Sequence, residues 1–111
     1  MNKLTKEAHH VMRECGTERA FSGKYVTLKD DGNYYCAFCG NKLFDSKTKF
    51  DSGTGWPSFR EAVKGSVKFV DDNGATEVRC SKCDSHLGHV FNELSGKRYC
   101  INSVALDFKK R

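Results

Sequence analysis

The chain has 111 residues, 38% of them hydrophobic and 30% charged, and a formal net charge of +5. That is material for one small domain spanning 1–111, and no apolar run is long enough for a membrane span. The positive charge is mild and lacks a basic stripe with interleaved aromatics, so no nucleic-acid partner is expected.

Residues 4–15 carry apolar side chains at Leu4, Ala8, Val11, Met12 and Cys15, a helical spacing. Thr5 suits the start and Gly16 the end of that helix. The first residues, Met1 to Glu7, have no apolar stretch of the kind a secretory signal needs. A cytoplasmic, reducing setting is therefore expected for the thiols. After Gly16 the pattern changes to short strand-like runs: 24–29, 34–37, 66–70, 77–80 and 98–104. Asp31-Gly32, Asn73-Gly74 and Ser95-Gly96 mark turns between them. Residues 48–60, with Gly53-Thr54-Gly55-Trp56-Pro57, read as an ordered loop, and Pro57 cannot occupy a central strand. Lys109-Lys110-Arg111 reads as a solvated basic end. The expected architecture is mainly β and antiparallel, with a short N-terminal helix.

Six cysteines punctuate this pattern. Cys36-Ala37-Phe38-Cys39-Gly40 and Cys80-Ser81-Lys82-Cys83 form two Cys-x-x-Cys pairs. Two intervening residues let both sulfurs of a pair reach one ion from a tight turn, and four thiolates close a tetrahedral zinc site with no open position. The expectation is one structural Zn2+ per chain, held by Cys36, Cys39, Cys80 and Cys83. The gap between the pairs is long for a simple ribbon, so the ion clamps two distant hairpins. A domain this small often needs such a staple. His86 and His89 are rival ligands, because Cys80, Cys83, His86 and His89 fall at intervals of three. Choosing them would leave the first pair without a partner.

Cys100 then stands outside the metal. On an extended strand Arg98, Cys100 and Asn102 share one face, and Tyr99, Ile101 and Ser103 the other. A guanidinium beside a thiol favours the nucleophilic thiolate, whereas a free cysteine is also often a small buried apolar residue. His86-Leu87-Gly88-His89 follows the second zinc pair and offers a proton donor near neutral pH. Trp56 fits either the core or the apolar wall of a small-molecule pocket. A Cys, His and Asn set also occurs in cysteine peptidases, but Asn102 is too near Cys100 in sequence to orient a remote imidazole. A zinc-ribbon-like binding module is the other reading. It has no need of a reactive Cys100.

Taken together these segments resemble the methionine-R-sulfoxide reductases of the B type. The resemblance runs through Gly16-Thr17-Glu18, Phe21-Ser22-Gly23, both Cys-x-x-Cys pairs, Lys49 to Phe59 with Gly55-Trp56-Pro57-Ser58-Phe59, Glu77-Val78-Arg79, His86 to Phe91 and Arg98 to Ser103. It implies two small antiparallel sheets with the active site between them. It implies that Cys100 attacks the sulfoxide sulfur while His89 and His86 stabilise and protonate the oxygen. Asn102 and Arg98 then position thiol and substrate, and Trp56 holds the methyl group. The products are methionine and a sulfenic acid on Cys100, which a thioredoxin-type reductant returns to the thiol. The enzyme is expected to be a monomer acting on methionine-R-sulfoxide, protein-bound or free.

The chain departs from the family pattern at three places. Thr54 stands where many members carry a resolving cysteine, so Cys15 is the candidate resolving thiol. A helix-face cysteine, with direct reduction by an external thiol, is the alternative. Ala20 replaces a usual proline. The stretch 92–97 is shorter than the usual loop, which leaves preference between free and protein-bound substrate open.

Overall fold

The computed structural model describes residues 3–14 and 16–111. Helix α1 is Lys6–Arg13. Thr5 caps it, its hydroxyl accepting from the Ala8 N–H at 3.1 Å, which satisfies one otherwise orphaned donor. Its buried face is Ala8, Val11 and Met12. Nine strands follow among the described residues: β1 (Gly32–Cys36), β2 (Lys42–Asp45), β3 (Lys49–Phe50), β4 (Ser58–Phe59), β5 (Val67–Asp72), β6 (Ala75–Cys80), β7 (His86–Glu93), β8 (Gly96–Ile101) and β9 (Leu106–Lys110). All pairings are antiparallel. One sheet has the order β2-β1-β9, the other β3-β4-β8-β7-β6-β5.

Local chemistry explains several joints. Asn73 and Gly74 both have positive φ, 51° and 91°, as a two-residue turn of the I′ kind requires. They join β5 to β6, with Asp72 opposite Ala75. Leu94 and Ser95 join β7 to β8, with Glu93 opposite Gly96. Gly32, Tyr34 and Cys36 of β1 point inward while Asn33 and Tyr35 remain half-exposed, the two-residue period of a strand with one face on the core.

The sheets meet through rings. Phe44 of β2 stacks on Phe59 of β4 with centroids 4.3 Å apart. Tyr34 of β1 meets Phe59 edge-on at 5.1 Å, and Phe44 meets Tyr99 of β8 at 5.6 Å. Tyr34, Phe44 and Phe59 have no exposed surface. Aromatic pairs of this geometry add stability beyond the area they bury. The basic C-terminus is less free than its composition suggests, since Arg111 reaches Asp31 at 3.0 Å and Asp45 at 2.8 Å.

Four features differ from the sequence reading. Residues 24–29 form turns and bends, not a strand. Two of their carbonyls are taken by a side chain: the Lys49 ammonium donates to Val26 O at 3.2 Å and Leu28 O at 2.9 Å. Residues 48–60 are not only loop, because β3 and β4 pair there. Strands β2, β7 and β9 went unmarked by the sequence pattern. Gly32 opens β1 and does not turn a hairpin.

Candidate active site and metal centre

Cys36 and Cys39 lie at and just beyond the end of β1; Cys80 and Cys83 lie at and just beyond the end of β6. Their four sulfurs fall within 4.8 Å of one another. Cys36 and Cys83 sulfurs are 3.6 Å apart, as are those of Cys39 and Cys80. A tetrahedron with zinc–sulfur bonds of about 2.3 Å has edges of roughly 3.8 Å, so the donor set fits a metal ion with little movement. Both histidines stay out of this cluster. Left to themselves the sulfurs cannot all ionise. Contact with Cys36 holds the Cys80 thiol down to about 4, while that same contact and burial push the Cys36 thiol up. A bound cation removes the conflict. The Asn41 amide lies 3.7 Å from the Cys80 sulfur, and Ser85 Oγ 3.1 Å from that of Cys83. Arg13 donates to Cys83 O and Ser85 Oγ, both at 3.0 Å, and lies over the Phe38 ring. Helix α1 is thereby fastened to both cysteine-bearing turns.

The second feature is a cavity of about 360 Å³, lined by Thr17, Thr54, Trp56, Gly88, His89, Phe91, Arg98, Cys100 and Asn102. Cys100 sits on β8, with Ser58 of β4 opposite it on one side and His89 of β7 on the other. A strand bonded on both edges holds its thiol in a fixed place. Gly88 lets β7 and β8 close beside it, since a Cβ there would run into the Cys100 carbonyl. Tyr99 and Ile101, the alternate residues of β8, are buried in the core. The Arg98 guanidinium lies over the Phe91 ring at 4.6 Å and is tied to Glu93 at 3.0 Å. The Asn102 side chain is locked: its amide donates to Leu87 O at 2.9 Å and its Oδ1 accepts from Glu18 N at 3.0 Å.

The histidines differ in environment. His89 lines the cavity, with Nε2 at 3.1 Å from Asp72. His86 does not line it. His86 is buried, 3% exposed, with Nδ1 at 2.6 Å from the Glu77 carboxylate. Its Nε2 has no hydrogen-bond partner among the described residues. Burial holds its imidazole below the ordinary histidine value, against the opposing pull of Glu77. The two imidazoles meet edge to face at 5.5 Å, so His86 touches the site through His89. Cys15 lies outside the described residues.

The sequence reading gave no role to Glu18, the hub behind this wall. Besides its N–H bond to Asn102, its carbonyl accepts from Trp56 Nε1 at 3.0 Å and its Oε1 from Val104 N at 3.0 Å. Two of the three contacts use main-chain atoms, which leave no mark in residue type. Burial pushes its carboxyl up, against the restraining amides of Ser103 and Val104. The folded chain therefore keeps this proton to higher pH than the unfolded chain does, and raising pH from 4.5 upward through the folded value removes stability. A Glu18→Gln side chain does not titrate. The stability of the parent relative to Glu18→Gln is expected to fall as pH rises above 4.5, measured by urea unfolding at each pH.

Fold and site together define a β protein with four sulfurs placed to hold a metal ion, and one more described cysteine set apart at a cavity. Comparison with known proteins agrees. A family model described as the SelR domain matches residues 4–110. A peptide methionine sulfoxide reductase MsrB of Synechococcus sp. (strain RCC307) is 52% identical over 99% of this chain and 87% of that protein. The MsrB of Methanosarcina mazei is 53% identical over 96% of this chain and 82% of its own length. The mitochondrial methionine-R-sulfoxide reductase B3 of Mus musculus is 47% identical over 96% of this chain and 45% of its own. The chain belongs to the SelR domain family, the MsrB-type peptide methionine sulfoxide reductases.

Proposed function

We propose that this chain reduces methionine-R-sulfoxide to methionine, with Cys100 as nucleophile. The observation that carries the reading is the cavity itself, where Cys100 meets Trp56, His89, Arg98 and Asn102. The thiolate attacks the sulfoxide sulfur, and a proton goes to the sulfinyl oxygen. The S=O bond breaks, the oxygen passes to Cys100 as a sulfenic acid, and methionine leaves. The substrate sulfur gains the two electrons that the cysteine sulfur loses. A neutral sulfoxide is a poor electrophile until its oxygen is protonated, so thiolate and acid must share one pocket. Correct proton donation typically contributes a factor of about 10²–10⁴. His89 is the donor in contact with the cavity, and His86 supports its ring. Trp56 offers an apolar face to the methyl group, its indole held by Glu18 O. Asn102 and Arg98 orient thiol and substrate.

The same reading takes the metal as zinc, which suits four sulfurs and a closed shell. A thioredoxin-type dithiol returns the sulfenic acid to the thiol, with release of water, by way of Cys15 or directly. The substrate is the R-sulfoxide in peptides or as the free amino acid. The protein acts as a cytoplasmic monomer, its described cysteines unbridged. No helix among the described residues is long and apolar enough to cross a membrane.

Separated sulfoxide epimers with dithiothreitol as reductant test the reading. Turnover of the R epimer with the S epimer untouched is expected. Absence of R-epimer turnover by metal-loaded protein overturns it.

A further inference from the structure

One polar device at the cavity is used by none of the steps above. The Cys100 sulfur lies 3.7 Å from Thr54 Oγ1. Thr54 Oγ1 is 2.8 Å from Ser52 Oγ, and Ser52 Oγ is 2.7 Å from Ser58 Oγ. Ser58 in turn donates to Trp56 O at 3.2 Å, and the Thr54 N–H donates to Ser52 Oγ at 3.4 Å. Ser58 is fully buried and stands opposite Cys100 in the β4–β8 pairing. Three hydroxyls thus connect the sulfur to the backbone of the residue that walls the cavity.

We infer that Thr54 is a further catalytic residue, whose hydroxyl donates to the Cys100 thiolate at the end of a reversible Ser58–Ser52–Thr54 chain. The inference deepens the proposed reduction and rests on that reading for its role in turnover. While Cys100 is a thiol, the chain runs outward: S–H to Thr54, Thr54 to Ser52, Ser52 to Ser58, Ser58 to Trp56 O. When the thiol proton leaves to solvent, the hydroxyl hydrogens rotate and the chain runs inward. Ser58 then donates to Ser52, Ser52 to Thr54, and Thr54 to the sulfur. No O–H bond breaks. The contact given up, Ser58 to Trp56 O, is the longest of the hydroxyl–oxygen bonds in the chain. A hydroxyl that accepts one hydrogen bond donates a stronger one, and donation to an anion is the strong kind. A threonine where other members carry a resolving cysteine then does different chemistry. It cannot form the disulfide, but it favours the anion that attacks.

The test is thiol alkylation by iodoacetamide across pH, beside single-turnover reduction of the R epimer, in Thr54→Val, Thr54→Ser and Ser52→Ala proteins. Thr54→Val keeps shape and deletes the donor. Its alkylation at neutral pH is expected to fall about tenfold, the worth of one hydrogen bond to a charge, with single-turnover reduction falling in step. Its alkylation-versus-pH curve is expected to lie to the high-pH side of the parent. Thr54→Ser is expected within about twofold of the parent, and Ser52→Ala between the two. Metal content and melting temperature monitor folding. Equal alkylation of parent and Thr54→Val at every pH overturns the assignment, as does a Thr54→Ser protein as slow as Thr54→Val. Slower alkylation of Thr54→Val in a parent that reduces no R epimer upholds the thiolate contact and overturns the reductase reading instead.

Discussion

Cys100→Ser is expected to lose more than about 10⁴-fold of R-epimer reduction while keeping its fold and its metal. The chemistry forces the size of the loss. The attacking atom must accept the sulfoxide oxygen, and sulfur does so by forming a sulfenic acid. A serine oxygen in its place would have to form an oxygen–oxygen bond. It is also protonated at neutral pH, so neither attack nor acceptance proceeds. The fold does not depend on the sulfur. Cys100 is half-buried at the cavity, and the flanking Tyr99 and Ile101 supply the core contacts of β8. Single-turnover assay of the R epimer, with thermal melting and metal analysis on the same sample, checks this. Turnover above about 1% of the parent, or a variant that has lost its metal, contradicts the division of labour between Cys100 and the four clustered sulfurs.

The four-sulfur cluster is the part of the protein most legible in the sequence. Paired Cys-x-x-Cys spacing follows from what a tight turn can present to one ion, and the four sulfurs do cluster. The alternation of Arg98 to Ile101 was readable for a similar reason: a strand has a two-residue period, and here it stops where the strand ends. Elements set by distant partners were not readable. Residues 24–29 have strand-like composition, but Lys49 claims two of their carbonyls from another part of the chain. β3 and β4 are two residues each and exist because β4 lies beside β8. The two histidines, alike on paper, diverge because β6 places Glu77 beside His86 and the β5–β6 hairpin places Asp72 beside His89. The role of Glu18 was not readable because its main chain does much of the work.

Cys80→Ser is expected to have the opposite signature, with metal and fold lost together. Cys36 and Cys39 end a strand of the three-stranded sheet, and Cys80 and Cys83 end a strand of the six-stranded one. An ion held by these sulfurs would fasten the two layers at one corner, while the aromatic rings of Tyr34, Phe44 and Phe59 fasten them in the middle. Structural zinc in small domains contributes on the order of 10 kcal/mol of apparent binding energy at neutral pH, and the whole stability of a domain is typically about 5–15 kcal/mol. Removing one ligand also leaves the wholly buried Cys36 thiol without a cation to favour its ionised form. A loss of at least ~3 kcal/mol corresponds to a melting temperature lower by roughly 12–24 °C. Chelation of the parent is expected to reproduce it. Activity falls with it for a structural reason: β7, which carries His89 into the cavity, starts three residues after Cys83. Metal analysis and thermal melting of Cys80→Ser beside Cys100→Ser provide the check. A Cys80→Ser protein that keeps one ion per chain and melts with the parent would mean that the sulfur cluster is not what joins the sheets.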